Sequence, residues 1–145
     1  MKSTLKKGSK INIESKKADE IFGLSKEEEN LALIRELFGP TLQKTDKWFT
    51  FDFSSEDCFV ELKSRRCTHD KYPDTMIGMN KLNYCQKTTK DVYFCFAFTD
   101  GLYYWKHNDD EYRDALEIRK GGRTDRGFDE TKEYAYIKSS FLKKV

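Results

Sequence analysis

At 145 residues the chain has the length of one domain, enough to bury a core without disulfide or metal staples. Hydrophobic residues make up 37% and charged residues 36%, so the interior must draw on the aromatics, which reach 14%. A net charge of +2 excludes a polybasic or strongly acidic protein, and the lack of a signal peptide or long apolar run points to a soluble, intracellular protein with no membrane partner.

Residues 1–20 are lysine-rich and without a clear hydrophobic period, which reads as a flexible basic arm. Residues 21–145 show no repeat and no break in composition and read as a single domain. Ser25 and Glu28 match a capping box that opens a helix. Leu31, Ile34, Leu37 and Phe38 give that helix its apolar stripe, and Gly39-Pro40 ends it. Glu27 falls on the same stripe one turn before Leu31. Two readings of it stand: an acid aimed into a site, or a complement to the helix dipole.

The chemistry concentrates in residues 47–65, KWFTFDFSSEDCFVELKSR. Apolar runs at Trp48 to Phe53 and Cys58 to Leu62 flank a polar turn, Ser54-Ser55-Glu56-Asp57, which is the pattern of a β-hairpin. Alternation puts Trp48, Thr50 and Asp52 on one face of the first strand, and Phe59, Glu61 and Lys63 on one face of the second. Asp52, Glu61 and Lys63 therefore gather on one side, with Phe51, Phe53, Val60 and Leu62 expected to pack behind them. An acid in the middle of each of two apolar strands requires a partner or a metal. Glu-x-Lys also occurs at Glu14-Ser15-Lys16 and Glu130-Thr131-Lys132, but only Glu61-Leu62-Lys63 lies on an apolar strand with a second acid one hairpin away.

Pro73 bars an earlier start to the next helix, which is expected over about Met76 to Lys87 with Asp74 or Thr75 as its cap. Lys81 shares a face of that helix with Ile77 and Tyr84. Asp91 to Phe98, DVYFCFAF, is apolar almost throughout, as in a strand covered on both faces. A helix between Leu62 and Val92 implies that their strands run parallel, joined by a right-handed crossover. Thr99-Asp100-Gly101 then turns the chain into an antiparallel neighbour over Leu102 to His107. Residues 108–127 are charged; Glu111 to Arg119 fits a short helix or a strand, and Arg123 lies in an Arg- and Gly-rich loop. Glu133 to Val145 alternates as a last strand. Cys58 and Cys95 read as buried thiols, and four cysteines without CxxC spacing beside two histidines argue against a zinc site.

An acid on one strand, Glu-x-Lys on the next and an acid on the preceding helix resemble the PD-(D/E)xK nuclease superfamily. The likeness extends over roughly Lys26 to Phe98 and, through the Phe-Asp-Phe and Glu-Leu-Lys-Ser-Arg arrangement, to proteins of phages and large DNA viruses. It departs from the pattern in having Phe51 where the proline of the family name would stand. The resemblance implies an α/β (α+β) fold, with a restriction-endonuclease-like αβββαβ core whose mixed central sheet is flanked by helices. It implies a Mg²⁺ (or Mn²⁺) ion held by Asp52, Glu61 and the Leu62 carbonyl, with Glu27 completing the acid set and Lys63 orienting or deprotonating the attacking water. Arg65, Arg66, Lys81 and Arg123 would then hold the backbone of DNA, with RNA left open as substrate. Small stand-alone members resemble junction resolvases or nicking enzymes and are often homodimers. The competing readings are a catalytically inactive nucleic-acid-binding or assembly module on the same fold, and an interaction domain in which Asp52 and Lys63 form a structural ion pair.

Overall fold

The computed structural model describes residues 17–18, 28–107, 111–121 and 132–145. In chain order, helix α1 covers 28–38, followed by β1 (Gln43–Lys44), β2 (Phe53–Ser54), β3 (Cys58–Ser64) and β4 (Asp74–Gly78). Helix α2 (Met79–Cys85) leads to β5 (Asp91–Phe98) and β6 (Gly101–Lys106), then to α3 (Tyr112–Ala115), β7 (Leu116–Gly121), β8 (Lys132–Lys138), a 3₁₀ turn at Ser139–Phe141 and β9 (Lys143–Lys144). Among the described residues six strands form a mixed sheet in the order β1-β2-β3-β5-β6-β9, in which only the β3–β5 pair is parallel. A second, antiparallel sheet has the order β4-β8-β7. The α/β architecture expected from the sequence, a mixed central sheet with helices packed on it, is the architecture observed.

Period-2 alternation on β3 and β5 divides the interior into two layers. Ile34 of α1 and Leu42 pack with Phe53, Val60, Leu62, Cys95 and Ala97 on one face of the large sheet. On the other face, Phe59, Val92, Phe94, Phe96 and Trp105 pack against Leu82 and Cys85 of α2 and against Leu116, Ala135 and Ile137 of the small sheet. A strand covered on both faces reads as an unbroken apolar run, and β5 is that strand. Gly39 ends α1 at φ +135°, a conformation that L side chains rarely adopt, with its N–H on the Arg35 carbonyl at 3.0 Å.

Three local expectations are corrected. The helix expected from Met76 begins at Met79, because Asp74–Gly78 is a strand whose Thr75 and Ile77 alternate inward while it pairs along β8. The first arm of the hairpin is a strand only at Phe53–Ser54; residues 47–52 turn, with the Phe49 N–H on the Asp46 carbonyl at 3.1 Å. That turn carries Phe51 to the opposite side of the sheet from Phe53. Phe51 stacks on Phe59 with ring centroids 5.3 Å apart, whereas Phe53 joins Val60 and Leu62. Residues 111–121 satisfy both alternatives, as helix α3 followed by β7. Ser25 of the capping box, the basic arm apart from residues 17–18, and the loop with Arg123 lie outside the described residues.

Candidate functional site

Asp52 enters the site from the last turn before β2, with its backbone held on both sides. Its N–H bonds the Val60 carbonyl at 3.1 Å, and its own carbonyl accepts the Thr45 N–H at 3.0 Å and the Thr45 hydroxyl at 3.1 Å. The side chain is fixed as well, since Oδ2 accepts the Leu62 N–H at 2.7 Å. The amide and carbonyl of one residue leave a strand by the same edge, so the Leu62 carbonyl also faces the Asp52 side of β3. A carboxylate held at one oxygen on a backbone that is itself fixed is pre-organised rather than swinging free.

Glu61 sits mid-strand on the same face as Phe59, with the Phe94 strand beside it, and its side chain is only 3% exposed. Burial, reinforced by the Asp52 charge, pushes its carboxyl up to about 7, while Lys63 and Lys81 pull it back. Lys63 Nζ lies 3.4 Å and Lys81 Nζ 3.3 Å from the same oxygen, Oε2. Lys81 also donates to the Thr50 carbonyl, so α2 ties the turn before Asp52 to the buried acid. The other oxygen, Glu61 Oε1, is buried without a hydrogen-bond partner. Leaving such an atom unpaired is costly, and a cation is the natural partner of a carboxylate oxygen beside a second carboxylate. The residues fit a hard divalent ion, for which all-oxygen donor sets are the rule.

Asp52, Glu61, Leu62, Lys63 and Lys81 are therefore brought together. Glu27 and Arg123 lie outside the described residues. Arg65 follows Lys63 by one strand repeat but turns its guanidinium inward, donating to the Thr75 hydroxyl and to the Ser64 and Met76 carbonyls, each at 3.2 Å. It ties the end of β3 to β4, while its neighbour Arg66 is exposed. A contribution the sequence did not signal comes from Thr45, whose bonds to Asp52 cross a loop that has no motif. A second cluster was equally silent in sequence: ligand atoms of His69, Asp70 and Asp100 lie within 4.8 Å of one another and could hold a metal ion. There His69 Nδ1 meets Asp100 Oδ2 at 2.5 Å, and these residues come from loops 31 positions apart.

A mixed sheet between packed helices, with an acid before one strand and Glu-x-Lys on the next, defines a restriction-endonuclease-like protein of the PD-(D/E)xK type. The family model described as "Phage putative PDDEXK endonuclease" matches residues 25–141, and the chain belongs to that family. No curated protein and no solved structure matches the chain. Membership makes it a member of an endonuclease family, whose substrate is nucleic acid, and nucleases of this type are generally dependent on divalent metals. No helix among the described residues is long and apolar enough to cross a membrane.

Proposed function

We propose that the chain is a Mg²⁺- or Mn²⁺-dependent endonuclease that hydrolyses phosphodiester bonds of DNA, with a preference for interrupted or branched duplexes. The observation that carries this reading is Glu61, buried mid-strand with one oxygen unbonded and the other shared by two lysines, beside a fixed Asp52. Asp52, Glu61 and the Leu62 carbonyl would hold the metal, which supplies charge neutralisation at the scissile phosphate and a nucleophile near neutral pH.

The protein's own part follows from position and charge. Asp52 and Glu61 present oxygens already oriented by the hairpin, so little reorganisation is needed at the moment of reaction. Lys63, the more exposed of the two lysines, is the group that can reach solvent-borne reactants, orient the attacking water and take up or return its proton. Lys81 is more enclosed and holds the Thr50 carbonyl and Glu61 together, and its charge adds to the field on a bound phosphate. Arg66 and Arg123 remain the proposed backbone contacts, with Arg65 as a strut behind them. Glu27 would add a further acid from the helix. Residues 21–145 would act as one nuclease domain, with residues 1–20 as a basic arm along the duplex.

The direct test is cleavage of nicked, flapped and four-way DNA in Mn²⁺ and in Mg²⁺ by the wild type and by Lys63→Ala. Metal-dependent cutting lost in Lys63→Ala is expected. Full cleavage by Lys63→Ala in a clean preparation rejects the assignment. Steeply salt-dependent DNA binding with no cutting in any divalent metal would instead identify an inactive binding or assembly module.

A further inference from the structure

Trp48 is 85% exposed in a protein whose other tryptophan, Trp105, is 2% exposed. Large aromatics are normally buried on average, so a solitary tryptophan standing in water asks for an occupant. Nor is this tryptophan on a loose tip. The Trp48 N–H is bonded to Asp46 Oδ1 at 2.8 Å, and the Phe49 N–H closes the turn on the Asp46 carbonyl at 3.1 Å. Immediately after it, the Phe49 and Phe51 rings insert into an aromatic cluster with Phe59 and Tyr84 at centroid distances of 5.3 to 5.8 Å. The loop is nailed down by two phenylalanines, and its third aromatic is the one left outside.

The same loop walls the proposed catalytic centre. Thr50, two residues on, gives its carbonyl to Lys81, whose ammonium is 3.3 Å from Glu61, and Asp52 is four residues on. Chain geometry limits the distance from Trp48 to Asp52 to about 14 Å between Cα atoms. That is about four base steps along one DNA strand. The charge alongside is positive: Lys47 Nζ lies 4.8 Å from the centroid of the Trp48 ring. A cation over an exposed indole, four residues from Asp52 and so within about 14 Å of it along the chain, is suited to a base on the ring and a phosphate on the ammonium.

We infer that Trp48 is the stacking platform for an unstacked base within about four base steps of the scissile phosphate, and hence the element by which the protein distinguishes interrupted from continuous duplex. The inference rests on the nuclease reading above. In a continuous duplex each base is already stacked and offers its face to no protein ring. At a nick, flap or junction a base can leave its neighbour and cover Trp48. The recognition is indifferent to sequence because every base has a π-face.

Binding is measured in the non-cleaving Glu61→Gln background, with three labelled oligonucleotide substrates: continuous duplex, the same duplex nicked, and the nicked duplex with a single-stranded flap. Trp48→Ala is expected to weaken binding to the nicked and flapped forms about 10-fold and to leave the continuous duplex unchanged, the size of effect that loss of one base–aromatic stack produces. Trp48→Phe, which keeps a ring, should restore most of the loss. Tryptophan emission from Trp48, obtained by subtracting the Trp48→Phe signal, should be quenched by the interrupted forms alone. Equal binding of all three substrates with and without Trp48 overturns the inference. Quenching that rises with protein concentration in the absence of DNA overturns it too, since a second copy would then be the occupant. Cleavage by the wild type, assayed separately in Mn²⁺, keeps the two readings apart: cutting without Trp48 dependence rejects the platform alone, whereas neither binding nor cutting of any DNA rejects both.

Discussion

The Asp52 carboxylate is fastened to the amide of Leu62, the residue just past Glu61, at 2.7 Å. One acid of the pair is thereby referenced to the strand that carries the other, and their separation is set by β3 rather than by a flexible loop. The cost is electrostatic. The Asp52 charge is one of the causes that hold the Glu61 carboxyl high, so the site without a cation is frustrated by construction.

Asp52→Asn separates these roles. The amide oxygen of Asn can still accept the Leu62 N–H, so the fold should hold, while the charge that disfavours ionised Glu61 is gone. At pH 8 without metal, the variant should melt no lower than the wild type. It should, however, fail to gain stability on addition of Mn²⁺, where the wild type rises. Asp52→Ala, which also strands the Leu62 N–H, should lose about 1–3 kcal/mol. Thermal melts of the three proteins with and without Mn²⁺ check this; an undiminished metal response in Asp52→Asn would remove Asp52 from the ligand set.

The raised carboxyl of Glu61 makes a pH prediction with a definite sign. An unfolded Glu releases its proton near 4.5, whereas folded Glu61 keeps it to about 7. Across that window the folded state binds more protons, so metal-free stability attributable to Glu61 falls as pH rises from 4.5 to 7 and is flat above it. The full excursion is at most about 3 kcal/mol at 1.36 kcal/mol per pH unit. Urea unfolding of wild type minus Glu61→Gln isolates the effect, which should appear as a downward slope confined to that window. A difference that is flat or rises with pH would refute the burial argument.

Lys63 and Lys81 reach the same Glu61 oxygen from different elements, and their substitutions should part company. Lys63→Ala should reduce cleavage by about 10²- to 10⁴-fold, the range for a positioned acid–base group, with little change in melting. Lys81→Met should reduce it less and melt lower, because it also releases the Thr50 carbonyl and loosens the turn that leads to Asp52. Equal losses of activity with unchanged melting would mean that both lysines act on substrate alike.

What the sequence disclosed and what it hid follow from the range of the forces involved. The shared face of Glu61 and Lys63 was legible because period-2 alternation is local and a charge in an apolar strand is conspicuous, whereas Asp52 reaches them from a turn rather than from the strand expected there. The parallel pairing of β3 with β5 followed from the helix expected between Leu62 and Val92, and the unbroken apolar run at Asp91–Phe98 gave the strand covered on both faces. Asp74–Gly78 was not legible as a strand. Five residues containing Met and Gly carry a weak period, and the strand exists because it pairs with β8, whose Ile137 is opposite Thr75. Phe51 was put on the wrong face for a related reason: alternation predicts sides only while the chain stays extended, and residues 47–52 do not. Lys81 and Tyr84 share α2, but Ile77, expected on the same helix face, lies in β4, and the contact of Lys81 with Glu61 depended on where the helix starts. The inward turn of Arg65 had no local signal at all.

Arg65 and Arg66, adjacent in sequence, should therefore behave as opposites. The Arg65 fork donates to Thr75, Ser64 and Met76 at 3.2 Å each and closes the junction between the two sheets. A lysine offers no planar fork and cannot reproduce three such bonds, so Arg65→Lys leaves two carbonyls and a hydroxyl short of donors. The loss should be about 1–3 kcal/mol, with DNA affinity per folded molecule unchanged. Arg66 is exposed two residues past β3, close in sequence to Lys63. Arg66→Ala should leave melting within about 0.5 kcal/mol and weaken binding to every DNA sequence alike. The slope of log K against log salt should fall by about 1 as a single phosphate contact is lost. Melting curves and salt titrations on the two variants give four numbers, and the crossed pattern is required. Were Arg65→Lys to lose a unit of salt slope while keeping its stability, the strut would be the phosphate contact after all.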